Sequence, residues 1–241
     1  SFVNSTGNIQ ASTSPTGLLY TSDVIIATVM WNGTNYGLVN DERHSYDRDT
    51  KWHSWAHKTI GTRYSSGLTL THNGGTGASA TFSITSGDIY DEDIQFVIDT
   101  KTNCRTLYET SASTYAFDSV LSTTPFKLGT GNRPVMVRDT DYSLITLNSA
   151  NNRYINVFVY ATTDLLNPIY MITETVSATI SGTNGYTSLA LARTSPFPNI
   201  SNKGISEELR PLYRLIIRAD GQVKAIDITQ DDYRTVSSLP M

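Results

Sequence analysis

The 241-residue sequence contains one cysteine, Cys104, so an intrachain disulfide cannot form. Because this cysteine lies in a β-rich stretch, we interpret it as a small buried side chain rather than a reactive thiol. The sequence also lacks an apolar run of about 18 residues, and no signal-peptide pattern begins at Ser1. We therefore expect no membrane-spanning helix and no export signal.

Charge is scarce in this chain as well. Charged residues make up 17% of the sequence, hydrophobic residues make up 39%, and the formal net charge is −4. Binding of nucleic acid or of an anionic membrane surface requires clustered positive charge, which the sequence does not offer. We therefore expect neither nucleic acid nor membrane insertion among the functions of the protein.

The residues that are abundant instead are Ser, Thr, Asn, Gly and Tyr, which favour strands joined by tight polar turns. About a dozen β-rich stretches recur at a spacing of roughly ten residues, without alternating helices. This pattern predicts an all-β fold, an antiparallel β-sandwich (jelly-roll-like) with long loops and one or two short helical turns. Residues 1–17 are predicted to be an extended arm or linker, and residues 18–241 the sandwich domain, whose division into two sub-domains would fall near 100–135.

Individual stretches give more specific predictions. Residues 78–85 alternate apolar and polar side chains, which predicts a strand with one buried face. Residues 154–162 carry large side chains in both phases, so we expect that strand to be covered on both faces. The acidic residues 87–93 are predicted to form a turn, residues 186–193 a strand, and residues 206–209 one helical turn.

The clearest local signal is a hairpin over residues 212–229. Asp220-Gly221 is a preferred pair for a two-residue type I′ turn, because both residues must adopt positive φ. Counting outward from this turn places Leu215 opposite Ile226 and Arg214 opposite Asp227. The same count predicts one apolar face and a wetter face. The apolar face comprises Tyr213, Leu215, Ile217, Ile226 and Ile228, and the wetter face carries Arg214, Arg218 and Asp227.

Residues 41–67 differ in composition from the rest of the chain, because Trp, His and charged residues are concentrated there. We predict a long structured loop with about two helical turns, which is unusual unless the loop has a function. The hypothesis is that this loop contacts a ligand or a neighbouring subunit. Its candidate binding or interface residues are Glu42, Arg43, His44, Trp52, His53, Trp55, His57 and Tyr64.

Two groups of side chains have the composition of metal sites. His53 and His57 are spaced to share a metal on one helical face, and His44 or an acidic residue would complete a set for which zinc comes ahead of iron or nickel. The alternative is that these histidines pack within the loop or at an interface. A second group, Asp88, Asp91, Glu92 and Asp93, offers oxygen ligands for Ca²⁺. Its alternative is an ordinary solvated acidic turn.

The sequence gives no sign of a catalytic centre. No nucleophile accompanied by a base and an oxyanion hole is evident, and the expectation is that the protein is not an enzyme. Glycoside hydrolysis needs two opposed carboxylates, and the 22 acidic residues do not indicate which two would serve. A polysaccharide-degrading enzyme therefore stays as an alternative without assigned residues.

Three stretches carry a resemblance to a known class of proteins. They are Glu42-Arg43-His44 with His53, His57, Gly61-Thr62-Arg63-Tyr64 and Ser66-Gly67-Leu68; Gly87-Asp88-Ile89-Tyr90-Asp91-Glu92-Asp93-Ile94; and Tyr213-Arg214 through Asp231-Asp232-Tyr233-Arg234. In style and short motifs they resemble structural proteins of tailed-bacteriophage virions, from tail, baseplate, collar or head fibre. The resemblance covers residues 31–99 and the last thirty residues.

That resemblance implies a β-rich virion component that is assembled in the host cytoplasm as a homo-oligomer, with a trimer favoured. Its partners would be copies of itself, other virion proteins and a host surface glycan. The leading expectation is therefore a non-enzymatic virion structural or attachment protein. The alternative is a carbohydrate-binding or receptor-binding adhesion module, for which the fourteen Tyr and three Trp residues supply contact area.

Overall fold

The computed structural model of this protein describes residues 2–3, 6–12, 24–31, 36–41, 52, 55–56, 59–74, 77–92, 94–147, 152–198, 200, 208–219 and 226–235. The fold is all-β and sandwich-like, with long loops and two short helices among the described residues. No helix in these ranges is long and apolar enough to cross a membrane.

The strands are numbered in chain order. The first ten are β1 (Phe2–Val3), β2 (Ile9–Gln10), β3 (Val24–Ile25), β4 (Ala27–Trp31), β5 (Tyr36–Asp41), β6 (Thr62–Gly67), β7 (Leu70–His72), β8 (Phe82–Ile84), β9 (Gly87–Asp91) and β10 (Ile94–Ile98). The others are β11 (Arg105–Ser111), β12 (Thr114–Phe117), β13 (Val135–Arg138), β14 (Leu144–Thr146), β15 (Arg153–Thr162), β16 (Ile169–Thr173), β17 (Thr175–Val176), β18 (Leu209–Ala219) and β19 (Ile226–Asp232). The helices are α1 (Ala178–Gly182) and α2 (Leu189–Arg193).

The largest sheet has six strands in the order β12-β11-β16-β15-β18-β19. Most neighbours run antiparallel, but β11 pairs with β16 in parallel, as β13 does with β17 in a separate three-stranded sheet. The expectation of an antiparallel sandwich is thus correct for most pairs and wrong for these two. Parallel pairs require long crossover connections, which a pattern of evenly spaced strands does not reveal.

A small antiparallel sheet, β10-β9-β6, packs against one face of the six-stranded sheet. Ile89 of the small sheet, Leu70 of the β7–β8 hairpin and Val157 of β15 belong to one buried cluster. Fully burying side chains of this size stabilises the fold by about 1.5–3 kcal/mol each. This apolar layer between two sheets is what makes the fold a sandwich.

The opposite face of the six-stranded sheet is also covered. There Phe158, Tyr160 and Tyr170 form a second buried cluster with Phe197, which arrives from the loop after α2. Along β15, the odd-numbered Ile155, Val157, Val159 and Ala161 therefore enter the first cluster, and the even-numbered Phe158 and Tyr160 enter the second. The prediction that this strand is covered on both faces is confirmed. Cys104 is also buried as predicted, and burial raises the pKa of its thiol to about 12.

Several local predictions were wrong for identifiable reasons. Residues 87–91 are strand β9 rather than an acidic turn, because Ile89 points inward between outward-facing Asp88 and Tyr90. The turn comes later, at Glu92, whose φ is +52°. Residues 62–67 of the predicted loop are strand β6, and residues 77–79 form a 3₁₀ turn, so the alternating strand is only β8.

The predicted strand at residues 186–193 contains helix α2 instead. Its sequence, Leu-Ala-Leu-Ala-Arg, consists of strong helix formers, and the Ser188 side chain accepts a hydrogen bond from the Leu191 N–H. At the other predicted helical turn, Leu209 begins strand β18, while residues 206 and 207 lie outside the described residues.

The closing hairpin exists, but its register differs from the prediction. Arg218, not Arg214, lies opposite Asp227, and Ile217 lies opposite Ile228. Residues 220–225, which connect Ala219 to Ile226, lie outside the described residues. Since the observed register differs from the predicted one by an even number of residues, each side chain stays on its predicted face of the sheet. Tyr213 and Ile228 therefore remain on the same side.

Candidate functional site

Most of the predicted contact loop lies outside the described residues, namely Glu42, Arg43, His44, His53 and His57. Of the others, Trp52 is half-buried and Trp55 is 55% exposed, both in helical segments that precede β6. The Ile60 and Gly61 N–H groups donate to the Ala56 carbonyl, which closes this turn just before the strand. Tyr64 lies in β6, so the chain runs from the predicted loop directly into the small sheet.

The two metal predictions have different outcomes. The set His44, His53 and His57 lies outside the described residues and stays a prediction. In the acidic group, Asp88 lies on the outward side of β9 and Asp91 is buried on the other side, so these two do not converge. Within the described ranges, no cluster of three His, Cys, Asp or Glu side chains is arranged to hold a metal ion.

The small sheet turns one face away from the core, and this face is the candidate site. Arg63, Tyr90 and Gln95 lie directly opposite one another across β6, β9 and β10. Asp88 and Val97 form the next row. We call this surface the outer face, and define it by Arg63, Ser66, Asp88, Tyr90, Gln95 and Val97.

An irregularity in β6 shapes the outer face. The register between β6 and β9 shifts between Tyr64 and Ser66, which is a β-bulge. Before the bulge, Tyr64 and Ile89 point toward the core; after it, Ser66 points outward. The Ser66 hydroxyl then donates a hydrogen bond of 2.9 Å to the Asp88 carboxylate.

The outer face combines charges of both signs with an aromatic ring. The Arg63 guanidinium donates to the Glu92 carbonyl at 2.7 Å, which orients it along the sheet. Tyr90 is half-buried and lies between Arg63 and Gln95 in the same row. Rigid aromatic rings flanked by guanidinium and amide groups are a composition that interfaces and sugar-binding surfaces favour.

The C-terminal segment supports this sheet from behind. Arg234 donates to the Gly67 carbonyl at 2.6 Å and to the Thr69 hydroxyl at 3.0 Å. Its guanidinium carbon lies 5.6 Å from the ring centre of Tyr64 and 5.2 Å from that of Tyr213. Asp232 also pairs with Arg234, and this hydrogen bonding raises the pKa of the guanidinium. The end of β6 is therefore fixed by residues more than 140 positions away in sequence.

An open groove of about 550 Å³ lies beside the β7–β8 hairpin. Burial lowers the pKa of His72 in this groove, although Asp227 acts in the opposite direction. None of the described lining residues is acidic. Its lining residues are Thr71, His72, Asn73, Thr81, Phe82, Ser83, Thr102 and Thr123.

Several carboxylates are buried, and hydroxyl groups satisfy them. Glu174 accepts from the Tyr186 hydroxyl at 2.6 Å, from the Ser195 hydroxyl and from the Asn156 N–H at 2.9 Å. Burial raises the pKa of Glu174, and these hydrogen bonds partly counteract it. Glu174 thereby links Ser195, in the loop after α2, to Asn156 of β15.

Sequence reasoning missed Arg214 as a buried residue. Its exposure is 4%, it donates to the Arg193 and Ser195 carbonyls, and it lies over the rings of Phe158 and Phe197. Alternation along β18 correctly puts it opposite the apolar face. The sequence carries no signal that a second layer of aromatic residues covers that side.

Comparison of this chain with protein-family models, with curated proteins and with solved structures found no match.

Proposed function

We propose that this chain is a non-enzymatic structural or attachment subunit of a tailed-bacteriophage virion, which assembles with copies of itself. One observation supports this proposal most. The separate stretches whose motifs resemble virion structural proteins meet in space at the small sheet, where Arg234 contacts Tyr64 and Gly67. The three stretches therefore belong to one structural unit, which is what supports the proposal.

The exposure of this unit agrees with a role in assembly. Val97 is 71% exposed on a strand at the edge of the small sheet, and Trp55 is 55% exposed close to its start. Exposed apolar and aromatic side chains beside paired charges characterise surfaces that bind other proteins. The fold supplies a rigid support for such a surface, because the sheet behind it is buried on both faces.

A second candidate function is carbohydrate binding by an adhesion module. The row of Arg63, Tyr90 and Gln95 favours it, since an aromatic ring with flanking guanidinium and amide groups offers both packing and hydrogen bonds to a sugar. In a virion attachment protein the two functions coexist. A monomeric protein that carries only the second function is the alternative.

The mass of the native wild-type protein tests the proposal. We expect native mass spectrometry, with light scattering at micromolar concentration, to find a homo-oligomer. A monomer at every concentration would contradict self-assembly. In that case, retention of the monomer on an immobilised glycan array would favour the carbohydrate-binding candidate. The absence of retention would contradict both the virion-subunit proposal and the carbohydrate-binding candidate.

A further inference from the structure

The two packed sheets have four edge strands, and three of them are protected against pairing with another strand. Strand β19 carries Asp227, Asp231 and Asp232. Strand β12 has four residues, and its pairing with β11 is irregular between Glu109 and Ser111. Charges, short length and bulges are the devices by which proteins prevent edge strands from adding further strands.

Strand β6 is protected by three features. A bulge interrupts its pairing between Tyr64 and Ser66, and Arg63 lies in the strand. Arg234 also binds the Gly67 carbonyl at the end of the strand. A second chain would therefore meet an irregular, charged and partly occupied edge at β6.

Strand β10 has none of these protections. Its sequence, Ile-Gln-Phe-Val-Ile, contains no charge and no proline, and its pairing with β9 is regular through all five residues. In the described part of the chain, no strand pairs with its outer edge. Val97 is 71% exposed, and Phe96 is half-buried. Regular, apolar and uncharged edges of this kind are templates for strand addition.

We propose that the β10 edges of two copies of this chain pair antiparallel about a twofold axis. This inference rests on the proposed function, because it names the surface through which the subunit assembles. Pairing centred on Phe96 places Gln95 opposite the partner's Val97 and Ile94 opposite the partner's Ile98. No like charges are opposed within the strand, and two three-stranded sheets become one six-stranded sheet across the axis.

In this pairing the sequence of β10 is complementary to itself. Each copy presents the outer-face valine to the partner's glutamine, so the exposed apolar surface of one chain is covered by the other.

Paired substitutions test the register directly. Gln95→Lys with Val97→Lys puts ammonium groups opposite each other in both rows, so the oligomer mass should fall to that of smaller species. Gln95→Glu with Val97→Lys places carboxylates opposite ammonium groups, so the oligomer should be retained. Val120→Lys is the control for the substitution itself, since Val120 is 76% exposed and lies outside β10. Thermal unfolding of each variant establishes that it folds.

The outcomes separate this inference from the proposed function. An even-numbered oligomer that the double-lysine variant loses and the glutamate–lysine variant keeps supports the β10 pairing. A wild-type trimer, or a double-lysine variant of unchanged mass, would overturn the pairing while self-assembly stands. A folded wild-type monomer would overturn both.

Discussion

The guanidinium of Arg234 donates a 2.6 Å hydrogen bond to the backbone carbonyl of Gly67, 167 residues earlier in the chain. The same group lies over the rings of Tyr64 and Tyr213, which belong to different sheets. One side chain thus joins the small sheet to the six-stranded sheet. Because it follows β19 directly, it also fixes the C-terminal segment against the small sheet.

Replacement of Arg234 by Met tests this connection. The variant loses hydrogen bonds from a charged donor and two ring contacts, so we expect a loss of about 1.5–3 kcal/mol in the free energy of unfolding. Urea unfolding provides the measurement. Arg138→Met is the matched control, because among the described residues the Arg138 side chain pairs with the exposed Asp141, and the variant should lose no more than about 1 kcal/mol. Equal losses in both variants would contradict the account.

The pKa of Glu174 predicts a dependence of stability on pH. Burial raises this pKa above its ordinary value, so the folded chain binds the proton more tightly than the unfolded chain. The free-energy cost of ionising Glu174 in the folded chain is therefore absent below the unfolded pKa of about 4.3. This cost grows as the pH rises toward the folded pKa and is constant above it. Relative to wild type, Glu174→Gln should become more stable over that window in urea titrations between pH 4 and pH 8.

Asp141 provides a control of opposite sign. Hydrogen bonds from Ser143 hold the pKa of Asp141 below its ordinary value. Its contribution to stability is therefore present above the unfolded pKa of about 3.9 and is lost as the pH falls through the folded pKa. Asp141→Asn should thus approach wild-type stability at acidic pH. If the Glu174→Gln difference does not change with pH, the assignment of a buried ionisable group is wrong.

Replacement of Arg214 by Lys tests whether stability depends on the shape of the cation as well as on its charge. Its two terminal nitrogens donate to the Arg193 and Ser195 carbonyls at 2.7 and 2.9 Å. An ammonium group cannot reproduce this planar fork or its stacking on Phe158 and Phe197. Arg214→Lys should reduce the free energy of unfolding by about 1.5–3 kcal/mol. Arg218→Lys, at a partly exposed pair with Asp227, should change it by less than about 1 kcal/mol.

Trp55 tests the predicted contact loop. The side chain is 55% exposed, so Trp55→Ala should change the free energy of unfolding by no more than about 0.5 kcal/mol. We expect it to weaken assembly or glycan binding, measured by native mass and by retention on a glycan array. Ile60→Ala, in the same turn and 40% exposed, is the control. Unchanged assembly and glycan binding in the Trp55 variant would remove the loop as a contact site.

The closing hairpin illustrates what a sequence can and cannot predict. Alternation fixed which residues share a face, so Tyr213, Leu215 and Ile217 are buried together as expected. The pairing partners depend on where the chain turns, and the observed register is centred two residues beyond the Asp220-Gly221 pair. Arg218 consequently pairs with Asp227 in place of Arg214.

Burial across layers was the harder property to predict. The composition of β15 revealed its two covered faces, because large apolar residues occur in both phases of the strand. Arg214 points to the corresponding side of β18, and its burial is explained by Phe197, which reaches it from the loop after α2, together with Phe158. Likewise, the outer face could not be predicted from the sequence. Residues 87–91 have the composition of a turn, and only their pairing with β6 and β10 shows that they form a strand.

Hydrogen exchange of the wild-type protein tests most directly whether the small sheet is the assembly surface. The account predicts that amides of Ile94–Ile98 become more protected as the protein concentration rises through the assembly range. Amides of Ile226–Asp232, at the charged edge of the larger sheet, should keep the same protection throughout. Equal and concentration-independent exchange at both edges, in a protein that is shown to be oligomeric, would contradict it.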